Sequence, residues 1–95
     1  MRKYEIMFIV KPDMEEVELN KQADSLKKVL TDDKAEIIEE KAMGQRDLAY
    51  EINKYKKGYY YLFLVNAESK TIDEFDRVIR LNENILRHLI INKED

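Results

Sequence analysis

The chain has 95 residues, with 17 lysines and arginines against 20 aspartates and glutamates and a formal net charge of −3, which argues mildly against a nucleic-acid partner. This length predicts a single domain over residues 1–95 with a modest core. The absence of cysteine excludes disulfides and cysteine metal sites and fits a reducing cytoplasm, and no apolar run approaches the roughly 20 residues of a membrane helix.

The first predicted elements are a strand over residues 2–11 and a helix. The strand is apolar on both faces, which is typical of a central position in a sheet. Pro12 ends it, and Asp13 with Glu16 three residues later predicts a capping box at the start of the helix. An apolar stripe at helical spacing follows, made of Leu19, Ala23, Leu26 and Leu30. The helix is expected to end in a polar turn at 31–33.

The middle of the chain predicts a long hairpin. Residues 35–43 form a weaker strand whose acidic side chains suit an edge position. Gly44 predicts a bend or bulge before the strand continues as 46–52. We expect the sequence NKYKKG to form the turn, with Gly58 supplying a positive φ before the return strand at 59–67.

The last third of the chain predicts a helix and a strand. Thr71 and Glu74 form a second capping-box pattern. The apolar stripe behind it consists of Ile72, Phe75 and Ile79, with Val78 beside them. A final strand covers residues 85–91, and the polar tail NKED is expected to fray.

The predicted order is strand–helix–strand–strand–helix–strand. Right-handed crossovers then give an α+β, ferredoxin-like βαββαβ fold: one four-stranded antiparallel sheet with both helices on one face. The first and third strands are expected in the centre. No predicted element is left to cover the other sheet face, and an apolar surface of this kind usually binds a partner. This open face is expected to consist of Met7, Ile9, Tyr60, Leu62, Leu64, Leu89 and Ile91.

Three segments resemble the bacterial small-subunit ribosomal protein six family. They are the initial MRKYEIMFIV, the central GQRDLAYEINK with KKGYYY, and the final RLNENILRHLII, so the resemblance covers nearly the whole chain. The central segment is the most specific. Many members have proline where this chain has Glu51. The negative charge of the glutamate makes that position less favourable for RNA binding.

The resemblance implies a non-catalytic constituent of the small ribosomal subunit in the cytoplasm. Members bind the central domain of small-subunit rRNA together with small-subunit ribosomal protein eighteen. The open face is then expected to take the protein partner, and basic residues at its rim are expected to take phosphates. Carried over by motif, the rRNA-binding positions are Arg2, Tyr4, Arg46, Lys54, Arg80 and Arg87.

An alternative is a free-standing RNA-binding module. KGYYYLFL is similar to the octapeptide of RNA-recognition motifs, whose alternate aromatics stack bases on an open sheet face. That function requires Tyr59 and Tyr61 on the uncovered face. The register of the ribosomal family instead places Tyr59, Tyr61 and Phe63 towards the helices, where strand aromatics most often pack, and Tyr60 outwards.

The sequence gives little support to an enzyme. His88 is the sole histidine, and its alternation with Leu86 and Ile90 points it to the helix side, where a packed or hydrogen-bonded role is expected. The two glycines cannot form a phosphate-binding loop. We therefore predict no catalytic residue, metal, cofactor, small-molecule substrate or membrane partner, although this fold hosts small enzymes and ligand-binding modules elsewhere.

Overall fold

The computed structural model describes residues 1–93. Its elements are β1 (Arg2–Val10), α1 (Glu16–Asp32), β2 (Glu36–Ile52), β3 (Tyr55–Ala67), α2 (Ser69–Arg80) and β4 (Ile85–Asn92). The four strands form one antiparallel sheet in the order β2-β3-β1-β4. The predicted ferredoxin-like fold, with the first and third strands in the centre, is confirmed. Neither helix within residues 1–93 is long and apolar enough to span a membrane.

The core lies between the helices and one face of the sheet. Alternate residues of β1 and β3 share this face, and the ring of Phe8 stacks on Tyr61 at 5.2 Å and meets Phe63 edge-on at 5.1 Å. Burial raises the pKa of the Tyr61 hydroxyl. Both predicted helical stripes are buried in the same cluster as these rings, namely Leu19, Ala23, Leu26 and Leu30 of α1 and Ile72, Phe75 and Ile79 of α2. The periodicity of each segment therefore identified the core correctly.

Helix α1 begins three residues later than the predicted capping box at Asp13. Glu15 is the N-cap residue, and its side chain makes no capping hydrogen bond. The carboxylate of Asp13 is used elsewhere, because its Oδ2 accepts a hydrogen bond from the hydroxyl of Tyr55 at 3.0 Å. The prediction of a capping box at this position was wrong because a long-range partner took the carboxylate.

The capping box predicted for α2 is also wrong. The helix begins at Ser69, so Thr71 already lies in its first turn. Its hydroxyl donates to the carbonyl of Asp33 at 3.3 Å, and the residue is only 2% exposed. Glu74 pairs with Arg77 one turn on, which lowers the pKa of its carboxyl. Thr71 thus links the start of α2 to the end of α1.

The β2–β3 hairpin extends further than predicted. The turn consists of Asn53 and Lys54 alone, with φ angles of 48° and 71°, the positive values that a type I′ turn requires. Ile52 pairs with Tyr55 across it, so the ladder continues almost to the turn. The predicted six-residue turn and the start of the return strand at 59 were wrong, because Lys54 occupies a position where glycine is the usual signal.

The two glycines serve different purposes. Gly44 has a φ of +80° at a shift in the β2–β3 register, as the predicted bulge requires. Gly58 does not have a positive φ, so that prediction was wrong. It is buried within β3, where an added Cβ would collide with Ile9 Cγ2 and lie 3.3 Å from the carbonyl oxygen of Val10. Glycine is needed there for close approach of the hairpin to β1.

Strand β4 continues through Asn92, one residue beyond the prediction. The backbone N–H of Lys93 donates to the carbonyl of Lys3 at 2.8 Å, so the first half of the polar tail is hydrogen-bonded to β1. The remainder of the predicted tail, residues 94–95, lies outside the described residues.

Candidate nucleic-acid and protein interface

The open face of the sheet is assembled from alternate residues of β1, β3 and β4. Met7 lies opposite Leu62 on one side and Leu89 on the other. Leu89 is 53% exposed, a high value for a leucine within a strand. The same register places Glu5 between Leu64 and Ile91. The seven predicted residues therefore lie on one face, and most of their side chains reach solvent.

One end of the open face is covered by the chain's own hairpin. Ile9 lies on this face, opposite Tyr60 and Arg87, but it is only 8% exposed. Gly58 packs directly against it. The expectation that nothing in the chain covers this face was wrong at this end, because the hairpin is long enough to cross the end of β1. Ile9 is therefore packed within the protein at this end of the face and offers little accessible area to a partner.

The hairpin reaches as far as β4, the strand at the opposite edge of the sheet. The guanidinium carbon of Arg87 lies 5.7 Å from the centroid of the Tyr50 ring, within the range of a cation–π contact. Arg87 also lines a cavity of about 150 Å³ on the apolar face. Its lining consists of Met7, Ile9, Arg87, His88 and Leu89.

The hairpin is also tied to the loop after β1. The hydrogen bond from Tyr55 to Asp13 joins it to this loop and raises the pKa of the tyrosine hydroxyl. The Nζ of Lys11 lies 4.0 Å from the same carboxylate. These contacts, with Gly58, determine where the hairpin lies against β1.

Four of the predicted rRNA-binding cations lie at the hairpin end of the molecule. Arg46 and Lys54 lie on the hairpin, Arg80 is the last residue of α2, and Arg87 is the third residue of β4. Arg2 lies at the other end of β1, seven residues from Ile9, which is about 23 Å along a strand. The structure therefore brings four of these side chains to one end and leaves Arg2 apart.

The same cations differ in how freely their charge is available. Within residues 1–93, Arg80 is the one predicted contact that forms an ion pair, with its Nε 3.3 Å from Oδ2 of Asp76. Arg46 donates its Nε–H to the carbonyl of Met43 at 3.4 Å. Arg87 has the Tyr50 ring as its neighbour. Arg2, Arg46, Lys54 and Arg87 are all exposed, so their charges can reach a phosphate.

Tyr4 does not belong to this surface. Its side chain is 7% exposed and is part of the core beneath the helices, where it lies opposite Val65. The contact of Tyr4 with RNA stays a prediction, and this burial leaves little of its ring accessible for stacking on a base. By strand alternation it lies on the same face of β1 as Ile6 and Phe8.

The aromatics of β3 follow the predicted register. Tyr61 and Phe63 are 8% and 1% exposed on the helix side, and Tyr59 packs against the same core. Tyr60 lies on the other face, opposite Ile9. An RNA-recognition motif would need Tyr59 and Tyr61 on the open face, so the geometry argues against that alternative.

His88 is hydrogen-bonded, as predicted. Its Nε2 lies 2.7 Å from Oδ1 of Asp76, which joins β4 to α2. Asp76 also holds Arg80. Within residues 1–93, no group of three or more histidine, aspartate or glutamate side chains is placed to hold a metal ion.

Sequence reasoning missed Tyr50 as a surface residue of interest. Its ring is 58% exposed, an unusual degree of exposure for a tyrosine within a strand. The alternating LAYEI pattern assigns Tyr50 to one face of a strand but does not indicate what its ring contacts. The contact with Arg87 spans 37 positions of the chain and depends on how far the hairpin reaches, for which local periodicity gives no signal.

Comparisons with known proteins agree with this fold. The family model described as ribosomal protein S6 matches residues 3–92. The crystal structure of 30S ribosomal protein S6 from Thermotoga maritima is similar to this chain, with 29% identity and a TM-score of 0.92. That match covers 97% of this chain and 87% of the other. Because the family model spans almost the entire sequence, the chain belongs to the ribosomal protein S6 family and is a structural, non-enzymatic constituent of the small ribosomal subunit.

Proposed function

We propose that this chain binds the central domain of small-subunit rRNA together with small-subunit ribosomal protein eighteen, in the cytoplasm. The main observation that supports this proposal is that exposed cations lie beside an exposed apolar face of the sheet. Arg87 belongs to both regions, since its side chain lines the apolar cavity and its guanidinium lies near the hairpin. The protein partner covers the apolar face, and the cations Arg46, Lys54 and Arg87 contact phosphates.

The proposed mechanism is bivalent. Lysines and arginines at phosphates orient a protein on RNA without reading its sequence. A few such contacts on a chain of net charge −3 give weak binding by themselves. When the partner protein occupies the apolar face and contacts the same RNA, the second contact becomes intramolecular and the combined affinity rises.

The test measures binding of a central-domain rRNA fragment by fluorescence anisotropy, with and without the partner protein. We expect the affinity for the RNA fragment to rise by at least about tenfold when the partner protein is present. Leu89→Gln is expected to weaken this gain, because it removes apolar area from the proposed partner face. Val17→Gln is the matched control, since Val17 is similarly exposed at 62% but lies on α1.

A second pair of variants tests the basic end. Arg46→Ala is expected to reduce the slope of log affinity against log salt concentration by about one, as loss of one phosphate contact requires. Arg77→Ala is the control, because Arg77 is already paired with Glu74 on α2. Equal RNA affinity with and without the partner would contradict the bivalent mechanism.

A further inference from the structure

The contact between Tyr50 and Arg87 joins the two edges of the sheet. Tyr50 belongs to β2 and Arg87 to β4, which are separated by β3 and β1 in the strand order. Their side chains meet because the hairpin crosses the end of β1. The 5.7 Å separation of guanidinium carbon and ring centroid is a favourable cation–π distance.

Little else restrains the head of Arg87. Within residues 1–93 it forms no ion pair, in contrast to Arg77 and Arg80, which are held by carboxylates on α2. The residue also borders a cavity of about 150 Å³, so its side chain is not packed on all sides. The ring of Tyr50 is therefore the contact that limits the positions of this guanidinium.

The backbone of the hairpin that carries Tyr50 is held by contacts that do not involve Arg87. The hairpin is held by Gly58 against Ile9 and by the hydrogen bond from Tyr55 to Asp13. The Tyr50 ring is itself 58% exposed and is not part of the core. Its removal is therefore expected to free Arg87 without unfolding the sheet.

We propose that Tyr50 is a positioning residue for RNA binding, whose ring holds the guanidinium of Arg87 ready to contact a phosphate at the edge of the apolar face. This inference rests on the proposed rRNA-binding function. A restrained arginine loses less side-chain freedom when it binds, so the aromatic ring increases affinity without touching the RNA. The ligand group is a phosphate of the rRNA backbone.

The experiment compares Tyr50→Phe, Tyr50→Leu, Arg87→Ala and the double variant Tyr50→Leu/Arg87→Ala. Each is titrated with the central-domain rRNA fragment, in the presence of the partner protein, at several salt concentrations. Tyr50→Phe keeps an aromatic face and is expected to bind like the parent. Tyr50→Leu is expected to lose affinity by about two- to tenfold with an unchanged salt slope, since the phosphate contact remains.

Arg87→Ala is expected to lower the salt slope by about one. When Tyr50→Leu is added to Arg87→Ala, we expect no further loss of RNA affinity, because the guanidinium that Tyr50 positions is absent. A Tyr50→Leu variant that binds like the parent overturns the inference. So does an equal loss from Tyr50→Leu with and without Arg87, which shows that Tyr50 acts on the RNA by itself.

The melting temperature of Tyr50→Leu and the NMR signal of the Arg87 Nε–H provide readouts that do not require RNA. The ring current of Tyr50 should shift that signal in the parent and in Tyr50→Phe but not in Tyr50→Leu, with little change in melting temperature. A signal that is the same in all three overturns the positioning contact. Failure of the parent complex to bind the rRNA fragment contradicts the proposed function itself, whereas normal parent binding with an unaffected Tyr50→Leu contradicts the inference alone.

Discussion

At the scale of single residues, the two glycines show that one amino-acid type can meet two unrelated demands. Gly44 has a φ of +80°, and no atom lies within 4 Å of the place that a Cβ would occupy, so its demand is conformational. Gly58 lies against Ile9 and the carbonyl of Val10, so its demand is steric. Only the second glycine determines how the hairpin meets the sheet.

We predict that Gly58→Ala destabilises the protein by about 1–3 kcal/mol, the usual cost of forcing an extra carbon into a packed site. Urea unfolding measures this change. Gly44→Asn is the comparison, because asparagine tolerates a positive φ and should cost little, whereas Gly58→Asn should cost more than Gly58→Ala. A Gly58→Ala protein within about 0.5 kcal/mol of the parent would show that the contact with Ile9 relaxes freely.

At the scale of elements, the β2–β3 hairpin has the greatest consequence for the binding surface. It buries Ile9, brings Tyr50 to Arg87 and places Arg46 and Lys54 at the same end of the molecule. Its side-chain hydrogen bond to the loop after β1 comes from Tyr55, whose hydroxyl donates to Asp13. The position of the proposed RNA-binding cations therefore depends partly on this hydrogen bond.

We predict that Tyr55→Phe lowers stability at neutral pH and that its difference from the parent decreases as the pH rises above about 10. The hydrogen bond to Asp13 raises the pKa of Tyr55 in the folded state above its unfolded value of about 10. A raised pKa contributes stability that is complete below the unfolded pKa and is lost as pH rises through the folded one. Unfolding of both proteins by urea between pH 7 and pH 11 measures the difference.

Other alkaline titrations affect the parent and the variant alike. The pKa of Tyr61 is raised by burial, and that of Lys27 is raised by its hydrogen bond to Glu40. Both groups are present in the two proteins, so they cancel in the comparison. A stability difference between parent and Tyr55→Phe that stays constant through this pH range would contradict a role for the hydrogen bond to Asp13.

At the scale of the whole molecule, one apolar cluster joins both helices to the sheet. Phe8 lies at its centre on β1, is fully buried, and contacts the rings of Tyr61 and Phe63 on β3. The opposite face of the sheet has no such cover over Leu89. Stability and binding are therefore properties of opposite faces of one sheet.

We predict that Phe8→Ala costs about 3–5 kcal/mol and that the protein still unfolds in a single transition, because one cluster holds all the elements. Leu89→Ala, on the open face, is expected to change stability by less than about 0.5 kcal/mol. Denaturant unfolding followed by circular dichroism and fluorescence checks both values. Two separate transitions in the parent would contradict the single core.

The sequence predicted most of the fold because periodicity is local. The alternation of Tyr59, Tyr60 and Tyr61 assigns each ring to a face without reference to the rest of the chain, and the stripe around Phe75 does the same for a helix. The capping boxes failed because Asp13 and Thr71 have partners distant in the chain. Cap residues compete with tertiary contacts for the same polar atoms, and sequence spacing does not reveal that competition.

By itself, the sequence determined the order of elements, the faces of each strand and the family, because these depend on side-chain periodicity and on motifs that lie within short segments. Only the tertiary structure decided how deeply Tyr4 is buried, that the hairpin covers Ile9 and that Tyr50 meets Arg87. The last two outcomes depend on how far the hairpin crosses the end of β1. That distance is determined by close packing at Gly58 and one hydrogen bond from Tyr55, between residues far apart in the chain.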